Sequence, residues 1–222
     1  MMDDILSAAK VYFELGPIRI DQTIVAFWVV SAIMIVAGIV LTRNFKWLPE
    51  GRQNLAEMIV EGVESFVVFI MGDSRRFFTP FMGTLIIFLF LANTAGVWSF
   101  GLLRPPTADA NMTLGLGILA FLTINYYAIK SHGLWNYVKG FFQPFVLFLP
   151  MNLFGELAKP ISLGFRLFGN IFAGVVIGGL IYQAFPFLIP IPLHIYFDLF
   201  SGLLQTAVFS MLTMVFITMA MD

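Results

Sequence analysis

Residues 24–41, IVAFWVVSAIMIVAGIVL, run for eighteen positions without a charge or a proline. As a helix rising 1.5 Å per residue they extend about 27 Å, close to the roughly 30 Å hydrocarbon core of a bilayer. A helix is also the one single-segment structure that satisfies its own backbone amides where there is no water. The stretch therefore predicts a membrane-spanning helix and makes the chain an all-α integral membrane protein.

The rest of the composition agrees. Of 222 residues, 59% are hydrophobic and only 11% charged, against about 25% charged in a soluble domain. The formal net charge is −1 and the basic residues are scattered, which excludes the electrostatic footprint of a nucleic-acid-binding protein. With no cysteine there is no disulfide or thiolate chemistry. The opening MMDDILSAAK places acids where a signal peptide carries its positive region, so the N-terminus reads as uncleaved.

C-terminal to the first span, Arg43, Lys46, Pro49 and Arg52 lead into 50–72, where Leu55, Met58, Ile59, Val63, Phe66, Val67 and Ile70 recur at helical spacing. Glu57, Glu61 and Glu64 take another face. This is an amphipathic helix at the membrane surface or against a partner; a short span with one polar side is the alternative. Residues 80–101 and 112–129 form a second and third span, joined through the turn-rich LLRPPTADAN. Residues 139–149 are apolar but too short to cross, a partial or re-entrant element between Pro144 and Pro150.

Two long patterns follow, 150–184 and 193–221, separated by FPFLIPIP. As single helices they measure about 52 and 43 Å, so they must tilt, bend or break. Glycines at 155, 164, 169, 174, 178 and 179 favour bending or close packing. The chain thus reads as one membrane domain, 1–222, with about five crossings and the amphipathic helix. Arg43, Lys46, Arg52, Arg75, Arg76, Lys130 and Lys139 flank one side of the spans, against Lys10, Arg19 and Arg104 on the other. By the positive-inside rule the N-terminus lies outside and Asp222 inside.

Arg166 is the anomaly. An arginine at bilayer depth costs about 2.5–3.5 kcal/mol on insertion scales, so it is either paired internally, with Glu156 or Asp198, or a functional cation. Asn170 lies one turn on, on the same face, with Gly169, Ala173 and Gly174 leaving room for another backbone. In the last segment His194, Asp198, Ser201 and Gln205 align on one side of a helix. That stripe suits an ion relay or an aqueous path; interhelical hydrogen bonding fits its spacing equally. Asn93, Asn125, Asn152, Glu156 and Lys159 read individually as packing or interface groups. No HExxH, closely spaced His pair, G-x-S-x-G, Walker A or dinucleotide fingerprint is present, so no catalytic centre, metal or cofactor is expected.

ELAKPISLGFRLFGNIFAG (156–174) closely resembles the arginine-bearing segment of subunit a of bacterial F-type ATP synthases. PPTADANMTLGLG (105–117) looks like the family's loop into its third span, and LLQTAVFSMLT (203–213) like the core of its last helix. The resemblance covers most of the chain. It implies a non-catalytic stator subunit with two offset half-channels, whose last two helices wrap a c-ring. The first span and the amphipathic helix would meet the peripheral-stalk b subunits, in a bacterial inner membrane.

It further implies that Arg166 faces the c-ring carboxylate, with Asn170 its companion and Gln205 opposite on the last helix. Glu156, His194, Asp198 and Ser201 join the expected ion-translocation set. Val175 stands where many members carry an acid or an imidazole, and Asp198 where they often carry His or Glu. Asp198 with His194 is therefore expected to line the outer half-channel alone or with an acid from elsewhere. The translocated ion is H+, with Na+ the other candidate. The alternative reading is a self-contained cation-coupled transporter, for which internal repeats would be expected; none is apparent.

Overall fold

The computed structural model describes residues 11–15, 18–43, 51–99, 104–142, 145–184 and 195–222. Among these, five helical segments are long and apolar enough to cross a membrane, as the sequence predicts. They begin with α1 (Gln22–Thr42), opened by Asp21, whose carboxylate accepts the Ile24 amide at 3.0 Å. This satisfies one of the donors a helix N-terminus leaves orphaned. A small antiparallel hairpin, β1 (Val11–Leu15) and β2 (Ile18–Asp21), precedes it. The hairpin is an addition to the all-helical expectation, drawn from residues rich in Val, Tyr, Phe and Ile that suit extended backbone.

Helix α2 (Arg52–Met71) buries only Val67 and Met71. It is not among the five potential spans, in keeping with its glutamates. It ends at Gly72, whose φ of 85° is a left-handed conformation that glycine tolerates. A 3₁₀ segment, Asp73–Phe78, then enters α3 (Thr79–Asn93). The second candidate span runs Asp73–Asn93; after α3 one further turn covers Ala95–Trp98, and the Trp98 indole donates back to the Leu91 carbonyl at 3.1 Å. Ahead of the next helix, Pro105, Pro106, Thr107 and Ala108 are all buried.

Asp109 caps α4 (Ala110–His132) by accepting the Asn111 amide. After Gly133 comes the short α5 (Leu134–Gly140), then a 3₁₀ turn at Val146–Phe148 and the 36-residue α6 (Leu149–Ala184). The final span is composite: a π-helical turn, Ile195–Ser201, runs into α7 (Gly202–Met221). Helix α7 is central, with Phe209, Met214 and Ile217 fully buried against a core that includes Phe78, Met82, Leu89, Ile124 and Leu167. Within lipid such burial is stabilised by packing and dispersion rather than by water exclusion.

The tightest joint is between α4 and α6. A Cβ built on Gly117 would stand 2.5 Å from the Pro160 carbonyl oxygen, and one on Gly164 would stand 3.1 Å from the Thr113 carbonyl oxygen. Glycine at both positions is what lets the two backbones touch. Pro160 lies inside α6 without kinking it apart, although it cannot donate to the Glu156 carbonyl.

Candidate functional site

The long helix α6 is two-sided. Pro160, Leu163, Gly164, Leu167, Ile171 and Gly174 recur every three or four residues and are buried. Gly155, Ala158, Ser162, Arg166, Gly169 and Asn170 are exposed. The 3.6-residue period turns the first set toward α4 and the core and the second outward. Small side chains on the outward set leave a shallow surface around one guanidinium.

Arg166 is exposed on that face and has no hydrogen-bond or ion-pair partner among the described residues. The internal pair with Glu156 does not form. Glu156 is ten positions away, about 15 Å along the axis, and its carboxylate is taken by Lys159 one turn on. The other possible partner, the Asp198 side chain, lies outside the described residues. So does His194.

One turn beyond Arg166, the Asn170 amide donates to Gln205 Oε1 at 3.4 Å, joining α6 to α7. Gln205 is 4% exposed and its Nε2 has no acceptor among the described residues. A buried amide donor left open is costly and commonly marks an internal water or a functional group. Ser201, one turn before Gln205, is likewise buried. The α-helical alignment of Asp198 with Ser201 and Gln205 does not carry over unchanged, because Ile195–Ser201 is π-helical. A π turn widens the spiral and displaces the residues N-terminal to it around the axis. No feature of the local sequence signals this turn.

Asn93 is the converse case, its amide donor met and its Oδ1 without a partner among the described residues. It is fully buried, and its Nδ2 donates to the Gly202 carbonyl at 3.2 Å and to Thr206 Oγ1 at 3.0 Å. Gly202 permits the approach, since a Cβ there would lie 3.2 Å from Asn93 Cβ. This is interhelical hydrogen bonding, the packing role read from sequence. Bonds of this kind are worth about 0.6 kcal/mol on average in membranes and at most about 1.7.

A second polar region lies where α4 ends. Tyr137 on α5 donates to Asn125 Oδ1 on α4, and Asn152 on α6 donates to the Phe141 carbonyl at 3.0 Å. Between these braces is an open cleft of about 770 Å³, lined by His132, Asn136, Tyr137, Asn152, Glu156 and Lys159 among others. Burial, and secondarily the Glu156 carboxylate, push the Tyr137 phenol above its ordinary value. Lys159 also reaches α7, its ammonium 5.6 Å from the Phe216 ring centroid. Sequence reasoning picked out Glu156 here but not Tyr137, whose partners are distant in the chain. Among the described residues no cluster of His, Asp or Glu is arranged to hold a metal ion.

Residues 24–218 match the family described as ATP synthase A chain. The chain is 39% identical over 208 residues to the sodium-ion-specific ATP synthase subunit a of Propionigenium modestum, covering 88% of this chain and 72% of that one. It is 34% identical over 206 residues to ATP synthase subunit a of Moorella thermoacetica, covering 92% and 93%. It is 32% identical over 221 residues to a chloroplast subunit a from Oedogonium cardiacum, covering 95% and 87%.

Proposed function

The chain belongs to the ATP synthase A chain family, the non-catalytic, ion-translocating stator subunits of the F-type membrane sector, and from that premise we propose that Arg166 couples ion flow to rotation. The exposed face of α6 meets the c-ring, and Arg166 is the fixed counter-charge for each passing c-subunit carboxylate. The observation that carries this is the unpartnered, exposed guanidinium in the middle of a spanning helix. A charge so placed is costly unless an anion or water meets it, and this one has no anion among the chain's described residues.

Each part then has a task. A guanidinium stays charged throughout, so it attracts a deprotonated carboxylate, favours release of its bound ion, and repels any cation attempting to pass straight through. Ions therefore enter by one half-channel and leave by the other only after the ring has turned. Asn170 and Gln205, bonded to each other one turn from Arg166, fix the junction of α6 with α7 beside the guanidinium. Ser201, Asp198 and His194 line the outer half-channel, and Glu156 belongs to the inner one. Helices α1 and α2, which leave Trp28, Ile35, Ile39, Met58 and Val60 exposed, face the peripheral-stalk b subunits and lipid. The N-terminus lies outside a bacterial inner membrane and Asp222 inside, following the lysine and arginine count.

The ion is H+, which Asp198 and His194 can relay, or Na+, which would need an oxygen-rich hydrated route. The sodium-specific relative from Propionigenium modestum keeps Na+ in contention. The test of the central claim is ATP-driven ion uptake into vesicles carrying Arg166→Ala, with assembly checked in the same preparation. Uptake should fall to background with the complex intact. Normal uptake would end the role assigned to Arg166, and loss of the assembled complex would point to a structural one.

A further inference from the structure

Two adjacent arginines leave the elbow between α2 and α3 in opposite directions. Gly72 ends α2, and the backbone of Arg75, at φ −112° and ψ 21°, departs from helical geometry within the 3₁₀ segment that leads into α3. Arg76 turns back toward α2. Its guanidinium meets Asp73 at 3.1 Å and Glu64 at 3.2 Å. Arg75 reaches across the fold instead. It donates to the Met71 carbonyl at 3.2 Å and pairs with the carboxylate of Asp222, just beyond α7 and 147 residues away in the chain. Phe78 seats the elbow, buried with its ring edge-on to that of Tyr127 on α4, the centroids 4.5 Å apart.

Helix α7 depends on ties of this kind for its register. Residues 202–221 carry no charged side chain, and apolar packing is non-directional. Midway along the helix, Ser210 and Thr213 spend their hydroxyls on carbonyls of α7 itself, those of Thr206 and Phe209. The links to other helices stand toward the two ends. At one, Asn93 holds Gly202 and Thr206, and Asn170 meets Gln205. At the other, Arg75 holds Asp222, and the Ser131 hydroxyl of α4 donates to the Met221 carbonyl at 3.0 Å. That carbonyl is among those a helix end leaves without an intrahelical donor, and a guanidinium beside the same end meets the negative pole of the helix. The two sets of links are about 30 Å apart. Held at one end alone, α7 could pivot there; held at both, it can neither pivot nor shift along its axis.

Resting on the stator reading above, we propose that Arg75 is a positioning residue for ion translocation: through Asp222 it fixes the far end of α7, and so keeps the Gln205 face in register with Arg166 while the ring turns. Arg76, gripping α2 from the same elbow, makes that register common to α7 and to the helix set against the peripheral stalk. The Arg75 side chain is 16% exposed and that of Asp222 65%. A pair with so open a carboxylate adds little to stability, which separates a positioning role from a merely structural one.

The experiment uses the whole complex in inverted vesicles. Arg75→Gln and Asp222→Asn each remove the ionic tie with little change in size, and Arg75→Asp combined with Asp222→Arg restores it reversed. Each is scored for assembled complex, thermal dissociation temperature, ATP hydrolysis and the steady ion gradient that ATP sustains. H+ is followed with a pH-sensitive dye and Na+ with a radiotracer.

Both single variants should assemble, dissociate at the parent temperature and hydrolyse ATP at the parent rate. Their gradients should be about threefold smaller, because small misplacements far from the reacting groups are felt at those groups. The reversed pair should recover most of that loss. Parent-level gradients in both single variants would overturn the proposal. So would gradients that fall only in step with the assembled complex or its dissociation temperature, the mark of a purely structural tie. A reversed pair no better than the single variants would overturn it as well. Arg166→Ala alongside separates the two claims: normal uptake there ends the role given to Arg166, whereas abolished uptake with full gradients in Arg75→Gln and Asp222→Asn ends only the role given to Arg75.

Discussion

Lys159 and Arg166 stand two turns apart on one helix, both cationic, both within an apolar chain, and the protein treats them in opposite ways. Lys159 finds its carboxylate one turn away at Glu156 and rests against the Phe216 ring. Arg166 finds nothing of the kind among the described residues and is left on the outward face. The first charge is settled inside the subunit. The second has no such partner among the described residues, and on the proposal above its counter-charge comes from the ring, which is how a structural charge and a working one would differ in a membrane.

The sharpest way to break this comparison is to exchange the two cations. Arg166→Lys substitutes a compact, titratable ammonium for a planar fork that never deprotonates, and should cut ATP-driven uptake at least tenfold in an assembled complex. Lys159→Arg keeps the charge beside Glu156 and should stay within about twofold of the parent. Equal damage at both sites would mean that the two charges share a role. The next largest effect lies in the frame that sets both in place. Gly117→Ala drives a methyl group against the Pro160 carbonyl oxygen at 2.5 Å and should cost about 1–3 kcal/mol, read as a lower thermal dissociation temperature of the complex.

A smaller effect sharpens the description of Lys159. A double-mutant cycle of Glu156→Gln with Lys159→Met should return a coupling of about 1 kcal/mol or less, as befits a partly exposed pair one turn apart. A larger coupling would move Lys159 toward the working class. The smallest concerns Tyr137. Its phenol titrates above the ordinary 10.0 because of burial first and the Glu156 charge second. A pKa raised in the folded state contributes stability that is present below pH 10 and is lost as pH rises through the folded midpoint. Glu156→Gln should lower that midpoint only part of the way, by removing the lesser cause, as a Tyr137→Phe difference titration would record.

Much of this was legible in advance, for identifiable reasons. The run 24–41 specifies a span because its length and polarity leave the backbone no other solution in lipid, and the glutamates of 50–72 keep that helix out of the set of spans. Arg166, Asn170 and Gln205 were readable by residue type and spacing, and the Asn170–Gln205 bond brings the last two together. The early end of α3 was not readable, since it depends on where the Asn93 amide and the Trp98 indole find acceptors. Nor was the π turn ahead of α7, or the burial of Pro105–Ala108, because both depend on neighbours far along the chain. Tyr137 escaped notice for the same cause: nothing within α5 announces that its hydroxyl will meet Asn125.

The contact of α4 with α6 at Gly117, Pro160 and Gly164 has a mechanical consequence. If a ring is driven past the outer face of α6, every step returns an equal sideways recoil to that helix. Side chains flex under shear, but here main chain rests directly on main chain, with no rotamers between to absorb displacement. The recoil passes into α4 with little give, and the arginine keeps its place while whatever it faces moves on.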